Sequence, residues 1–290
     1  MFIEVALQQM PEKLQQLCQI LQRASELLEQ EYQDYIAGAA FEIQQKADQS
    51  PVTQADLKCN AMIQSQLQHI TPQLPILSEE GEHQLRHQWS QFWMLDPLDG
   101  TKEFLHQTGE FTINLSLIDQ GESVISALAV PLQHKIYITQ KDLLPFRWQW
   151  HQEKKVIVTQ YQRQFRYQET LRIAMSRRPE RSPIYAEFLT FLEQHHINYQ
   201  KIMAGSAYKF CMMLEDQIDI YPRFHPTCEW DTAAGQGLLK SIGGEVYSLK
   251  HQPFYYNQRK QLLNGNFIAL RYADDWQKIS QFIALLSRNN

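Results

Sequence analysis

Apolar residues recur at three- and four-residue steps at Leu14, Leu17, Cys18, Leu21, Ala24 and Leu28, which predicts one long amphipathic helix over residues 10–37. Residues 1–9 read as a frayed lead-in. Thr53-Gln54-Ala55-Asp56 resembles a capping box with Asp in place of Glu, opening a second helix to about residue 69. The period then shortens. Residues 74–77 and the apolar run closed by Asp96 read as buried strands, and 112–118, 124–130 and 136–139 as strands of a sheet broken at Gly121 and Pro131. Pro97 is expected to stop the strand that Asp96 closes.

From about 149 to 168 the chain turns polar, Gln-rich and basic around a short strand at 156–158. A domain boundary is expected at its end. Beyond it strands and helices alternate: a strand at 171–175, a helix through Phe188 and Leu192, and a strand at 197–202. A helix at 207–215 follows, then a strand at 218–221 and a helix at 231–242 that Gly243-Gly244 caps. A strand at 267–270 leads to a terminal helix from Asp274. The pattern predicts an α+β first half (1–168) and an α/β second half (169–290), together a layered α/β sandwich.

At 290 residues either half can bury a core. The net charge of −5 does not favour nonspecific binding to nucleic acid. No stretch approaches the ~20 apolar residues of a membrane span, and the N-terminus lacks a signal-peptide layout. Cys18, Cys59, Cys211 and Cys228 show neither paired nor zinc-binding spacing, so reduced thiols in a cytoplasmic protein are expected. Contact with a membrane would then be peripheral at most, at the inner membrane.

The chemistry lies in two acidic segments, Asp96-Pro97-Leu98-Asp99-Gly100-Thr101 with Glu79-Glu80 upstream, and Glu229-Trp230-Asp231-Thr232-Ala233-Ala234. Taken singly, Asp99 reads as a turn residue, Asp231 as a partner of a helix N-terminus, and Trp230 as buried bulk. Taken together, carboxylates crowded on a tight turn repel unless a cation neutralises them. Hard cations such as Mg²⁺ favour oxygen ligands and also hold substrate phosphates.

These strings carry a resemblance. With Lys46-Ala47-Asp48-Gln49-Ser50-Pro51-Val52-Thr53, Leu77-Ser78-Glu79-Glu80, Gly205-Ser206-Ala207-Tyr208-Lys209-Phe210 and Tyr221-Pro222-Arg223-Phe224, the chain resembles the lithium-sensitive, Mg²⁺-dependent phosphatases that include inositol monophosphatases. Within them it is most similar to CysQ-type 3'(2'),5'-bisphosphate nucleotidases. The resemblance implies an αβαβα sandwich with its site between two subdomains, and hydrolysis of adenosine 3',5'-bisphosphate to AMP and phosphate.

It also implies roles. Glu79, Asp96 and the Leu98 carbonyl would hold one Mg²⁺. Asp96, Asp99 and Asp231 would hold a second, and a third ion is allowed. Thr101 with Asp48 would take the proton of the attacking water. Gly100 and Thr101 N–H groups, Ser176, Ser206, Lys209 and Arg223 would bind substrate, Arg223 because its fork grips phosphate bidentately. Without the resemblance Asp48 reads as a loop acid near Lys46, and Lys209 as part of a solvated helix face. The expected partner is a bisphosphorylated nucleotide. An inositol or sugar monophosphatase on the same fold, and an inactive nucleotide-binding or scaffold protein, are the alternatives.

Overall fold

The computed structural model describes residues 1–46, 49–151, 155–163, 170–177 and 182–286. Helix α1 (Glu12–Ile36) forms where the apolar stripe predicts, and Leu14, Leu17, Cys18, Leu21, Ala24 and Leu28 are all buried. Strand β1 (Phe2–Glu4) precedes it. The expected frayed lead-in is thus an edge strand, and three residues are too few to show a period. Strands β2 (Ile43–Gln45) and β3 (Pro51–Thr53) pair antiparallel and lead into α2 (Gln54–Ile70). The Thr53 side chain accepts hydrogen bonds from the Ala55 and Asp56 N–H groups, while the Asp56 carboxylate accepts from the Thr53 N–H, closing the capping box.

The remaining strands of the first half are β4 (Ile76–Ser78), β5 (Gln91–Asp99), β6 (Thr112–Asp119), β7 (Glu122–Val130), β8 (Lys135–Gln140), β9 (Phe146–Trp150) and β10 (Val156–Tyr161), with the short helix α3 (Thr101–Leu105) after β5. They form one eight-stranded sheet in the order β1-β10-β9-β8-β7-β6-β5-β4. Pro97 does not end β5. The strand continues to Asp99 with a register shift between Asp96 and Asp99, the irregularity a residue without an N–H demands. Nor does the polar stretch begin at 149. Phe146, Trp148 and Trp150 alternate inward along β9.

The second half supplies β11 (Leu171–Met175), α4 (Pro183–Gln194), β12 (Tyr199–Met203), α5 (Tyr208–Leu214), β13 (Ile220–Arg223), β14 (Thr227–Cys228), α6 (Ala233–Ile242), β15 (Glu245–Ser248), β16 (Leu263–Asn264), β17 (Phe267–Leu270) and α7 (Trp276–Leu286). Five of these strands make a second sheet, ordered β12-β11-β13-β17-β15, and β14 pairs with β16 outside it. Strands of the large sheet end at Tyr161 and those of the small sheet begin at Leu171. We propose the subdomain boundary after residue 168 on that partition.

Three apolar clusters stack these elements into layers. One face of the large sheet buries α1 and α2, through residues such as Trp93, Leu95 and Leu115. Its other face (Phe92, Met94, Leu128) packs on α5 and α6, whose far side meets Tyr221, Val246 and Phe267 of the small sheet. The small sheet's outer face packs on α4 and α7 through Ile173, Phe188, Ile268 and Phe282. The order is helix, sheet, helix, sheet, helix. Each fully buried side chain of this kind is worth roughly 1.5–3 kcal/mol, so the middle layer is held from both sides. The acidic turn after β5, the loop before α5, the end of β13 and the start of α6 all meet along that middle layer.

Candidate active site

Asp96 is buried within β5, and its carboxylate accepts a hydrogen bond from the Leu98 N–H at 3.1 Å. The irregularity at Pro97 turns Asp99 in beside it. Gly100 then adopts φ +95°, a left-handed conformation suited to glycine, and a Cβ there would lie 3.1 Å from the Ser206 Cβ. That turn opens α3 at Thr101. Asp99 accepts a hydrogen bond from the Ala207 N–H, which ties the acidic turn to the loop ahead of α5. Asp231 arrives from the other half. It ends a one-turn 3-10 helix, Glu229–Asp231, rather than opening α6 as expected, and it accepts from the Cys228 N–H at 2.8 Å.

Asp96, Asp99 and Asp231 each offer a carboxylate oxygen, and these atoms all lie within 4.8 Å of one another. Burial pushes the Asp96 carboxyl well above its usual range, and the charges of Glu79, Asp99 and Asp231 push it further. Burial raises Asp99 and Asp231 as well. Glu79 follows β4, and its carboxyl is pushed up to about 7, chiefly by burial. Its Oε1 receives the Lys46 ammonium at 2.6 Å, and the same ammonium reaches Glu80 Oε1 at 2.6 Å. The oxygen donors fit a hard divalent cation: all are carboxylates, none is soft, and burial with neighbouring acids disfavours their charged forms until a cation favours them.

The Thr101 hydroxyl lies 3.0 Å from Asp56 Oδ1 and 3.3 Å from the Leu98 carbonyl oxygen. Asp48 lies outside the described residues. Among the described residues the carboxylate at Thr101 is that of Asp56, the capping residue of α2. Its Oδ2 is committed to the Thr53 N–H (2.8 Å) and hydroxyl (2.6 Å), which leaves Oδ1 for Thr101. Burial raises this carboxyl too. Its sequence signal was the capping box itself, which gave the acid a structural role and concealed its second oxygen.

A cavity of ≈ 720 Å³ opens beside the acids, lined among others by Asp99, Glu103, Ser176, Ser206, Lys209, Arg223, His225 and Asp231. The expected substrate residues Ser176, Ser206, Lys209 and Arg223 thus share one space with two of the expected metal ligands. Lys209 is not on a solvated face. It is 2% exposed, its ammonium donates to the Ser206 carbonyl oxygen at 2.9 Å, and it sits 4.8 Å from the Tyr221 ring centre. Burial and then the Arg223 charge lower its pKa from 10.5 to about 8. Arg223 ends β13. Arg177, next to Ser176, forms an ion pair with Glu110 through Nε at 2.7 Å, and Arg178 lies outside the described residues. Glu229 is fully buried and held by the Asn257 N–H (2.6 Å) and Arg259 (2.9 Å). Asn114 was not anticipated. Its side-chain amide donates to the Trp230 carbonyl oxygen at 3.4 Å and its side chain also hydrogen-bonds Asp99, joining the two acidic segments.

A layered sandwich with buried carboxylates facing a cation-lined cavity between its sheets defines a metal-dependent phosphatase class. The inositol monophosphatase family model matches residues 10–284, and the chain belongs to that family. It is 34% identical over 260 residues to the 3'(2'),5'-bisphosphate nucleotidase CysQ of Escherichia coli (strain K12), covering 88% of this chain and 98% of that one. Against the enzyme of the same name from Haemophilus influenzae it is 30% identical over 275 residues, covering 93% and 97%. The crystal structure of CysQ from Bacteroides thetaiotaomicron, a bacterial member of the family, superposes with a TM-score of 0.70 at 30% identity, covering 87% of this chain and 94% of that chain.

Proposed function

We propose that this protein is a Mg²⁺-dependent 3'(2'),5'-bisphosphate nucleotidase that removes the 3'-phosphate of adenosine 3',5'-bisphosphate to give AMP and phosphate. One observation carries the reading: a single cavity joins the acidic end, Asp99 and Asp231, to the cationic end, Lys209 and Arg223. A monophosphate needs only the first end, whereas a bisphosphate uses both. The names of the bacterial relatives support the same reading.

Glu79, Asp96, Asp99, Asp231 and the Leu98 carbonyl would hold two or more Mg²⁺ ions. When bound, such ions lower the pKa of water and neutralise phosphate charge. The chain's own groups do the rest. The Thr101 hydroxyl accepts the proton of the attacking water and relays its own to Asp56 Oδ1, since a threonine alone is far too weak a base. Lys209 and Arg223 hold the phosphate that is not cleaved, Ser176 and Ser206 give hydroxyl contacts, and the Gly100 and Thr101 N–H groups steady the cleaved one. Four free cysteines agree with a cytoplasmic setting.

The test is a panel of phosphate esters assayed with the purified protein after chelation and after adding Mg²⁺. Adenosine 3',5'-bisphosphate should be cleaved well ahead of 3'-AMP and inositol 1-phosphate, and only with Mg²⁺. Faster cleavage of inositol 1-phosphate would instead make this a monophosphatase. No cleavage of any ester with Mg²⁺ would make it a binding protein.

A further inference from the structure

Glu103 is a third acid on the wall of the cavity, with Asp99 and Asp231, facing the cations Lys209 and Arg223. It lies in the first turn of α3, four residues after Asp99, and is half-buried. Its Oε2 comes within 3.3 Å of where a Gly100 Cβ would stand, which places the carboxylate at the acidic end of the cavity. Its stem runs along Gly205, where a Cβ would come within 2.5 Å of the Glu103 Cγ. Gly205 therefore leaves the room in which this side chain lies. Among the described residues the Glu103 side chain enters no hydrogen bond or ion pair, although Arg177 and Lys209 are near enough to feel its charge. Arg177 is already committed to Glu110.

A carboxylate in that position repels phosphate and attracts a hydrogen-bond donor. On a nucleoside bisphosphate, the donor next to the cleaved 3'-ester is the neighbouring 2'-hydroxyl of the sugar. The base amine lies at the other end of the nucleoside, away from the acids. We propose that Glu103 determines specificity by accepting a hydrogen bond from the sugar hydroxyl beside the phosphate that is removed. This rests on the nucleotidase reading and deepens it. The enzyme then selects ribonucleotides over deoxyribonucleotides, and Glu103 disfavours a second phosphate on the vicinal oxygen.

The test compares adenosine 3',5'-bisphosphate with its 2'-deoxy counterpart in the wild-type protein, Glu103→Gln and Glu103→Ala. A hydrogen bond to a charged group sets the scale, so the wild type should lose roughly 10- to 100-fold in kcat/KM on the deoxy substrate. Glu103→Ala should lose about as much on the ribo substrate and treat the two sugars alike, and Glu103→Gln should fall between. The Mg²⁺ dependence should not move. Equal losses on both sugars, with wild-type discrimination retained, would give Glu103 a structural role and overturn the proposal. A shifted Mg²⁺ requirement would overturn it in favour of a metal contact. A wild type that cleaves both sugars equally well leaves the nucleotidase reading intact and removes only Glu103. A wild type that cleaves neither, but cleaves inositol 1-phosphate, removes both.

Discussion

The two ends of the cavity carry opposite charge and are built in opposite ways. At the acidic end, carboxylates are pinned by backbone: Asp96 by the Leu98 N–H, Asp99 by the Ala207 N–H, Asp231 by the Cys228 N–H. Carboxyls held this close resist ionising together, and a cation would favour their charged forms. At the cationic end, Lys209 is buried against a ring and a carbonyl, and Arg223 stands at a strand end. Those two cations repel each other, and the charges of Asp99 and Asp231 offset that only in part. Each end is unfavourable alone, and a metal-bound bisphosphate satisfies both. The difference predicts that changes at the acidic end act on turnover and metal binding, whereas changes at the cationic end act on substrate selection.

The sharpest break is Asp99→Asn. A neutral amide is a poor ligand for a hard cation, so kcat should fall at least about 100-fold. Stability should move the other way. Removing one of the clustered buried charges relieves repulsion, so the Tm of the metal-free protein should rise by a few degrees while the stabilisation given by Mg²⁺ shrinks. Near-normal turnover, or a lower metal-free Tm, would remove Asp99 from the metal end.

The next prediction separates two acids. Asp56→Asn should lower kcat by roughly 10²- to 10⁴-fold, the usual worth of a positioned general base, with little change in the Mg²⁺ requirement. Thr101→Val should match it, and the double variant should lose little more, because the two groups act as one unit. Asp48→Asn should leave turnover nearly intact. A large loss at Asp48 with a small one at Asp56 would give the proton to Asp48, as the family resemblance implies.

How legible each end was follows from how it is encoded. The candidate metal ligands sit in contiguous strings, and D-P-L-D-G-T as a whole resists reading as a plain turn. The layers followed from helical and strand periods long enough to count. Asp56 was visible only as a capping acid, because one carboxylate serves the cap with Oδ2 and Thr101 with Oδ1, and a sequence does not show which oxygen is spare. Lys209 was ambiguous for a different reason. A lysine on a seven-residue helix reads as solvated, and only the packing of α5 between two sheets makes it buried. Strand β1 was too short to show alternation, and its place was set by a partner, Tyr161, far along the chain. What depended on contiguous residues was readable, and what depended on the meeting of the two halves was not.

At the cationic end, Arg223→Ala should lose roughly 10- to 150-fold in kcat/KM on adenosine 3',5'-bisphosphate, mostly through KM, since a charge-assisted hydrogen bond is worth about 1.5–3 kcal/mol. The loss on a monophosphate should be much smaller. A structural pairing of Arg223 with Glu229 would make both substrates suffer alike, but Glu229 is already held by Arg259 and Asn257. Equal losses on the two substrates would sever Arg223 from substrate recognition.

The smallest effect is one of pH, and it belongs to Lys209. Burial holds its folded pKa near 8 against an ordinary 10.5, so it is cationic at pH 7 and becomes neutral as the pH passes about 8. The bisphosphate's charge is nearly constant over that range. KM for adenosine 3',5'-bisphosphate should therefore climb between pH 7.5 and 9.5, by up to about tenfold for one charge-assisted contact. KM for a monophosphate should stay flatter. Stability carries the opposite sign. Between about 8 and 10.5 the unfolded chain holds a proton on this lysine that the folded chain has released, so this residue's contribution to stability rises with pH across that window. Lys209→Met keeps the bulk without the charge. It should abolish both the climb in KM and the lysine's share of the stability slope, while kcat at pH 7 changes far less than in Asp99→Asn. A bisphosphate KM that rises with pH in Lys209→Met as steeply as in the wild type would place the titrating group elsewhere and leave Arg223 to hold the uncleaved phosphate by itself.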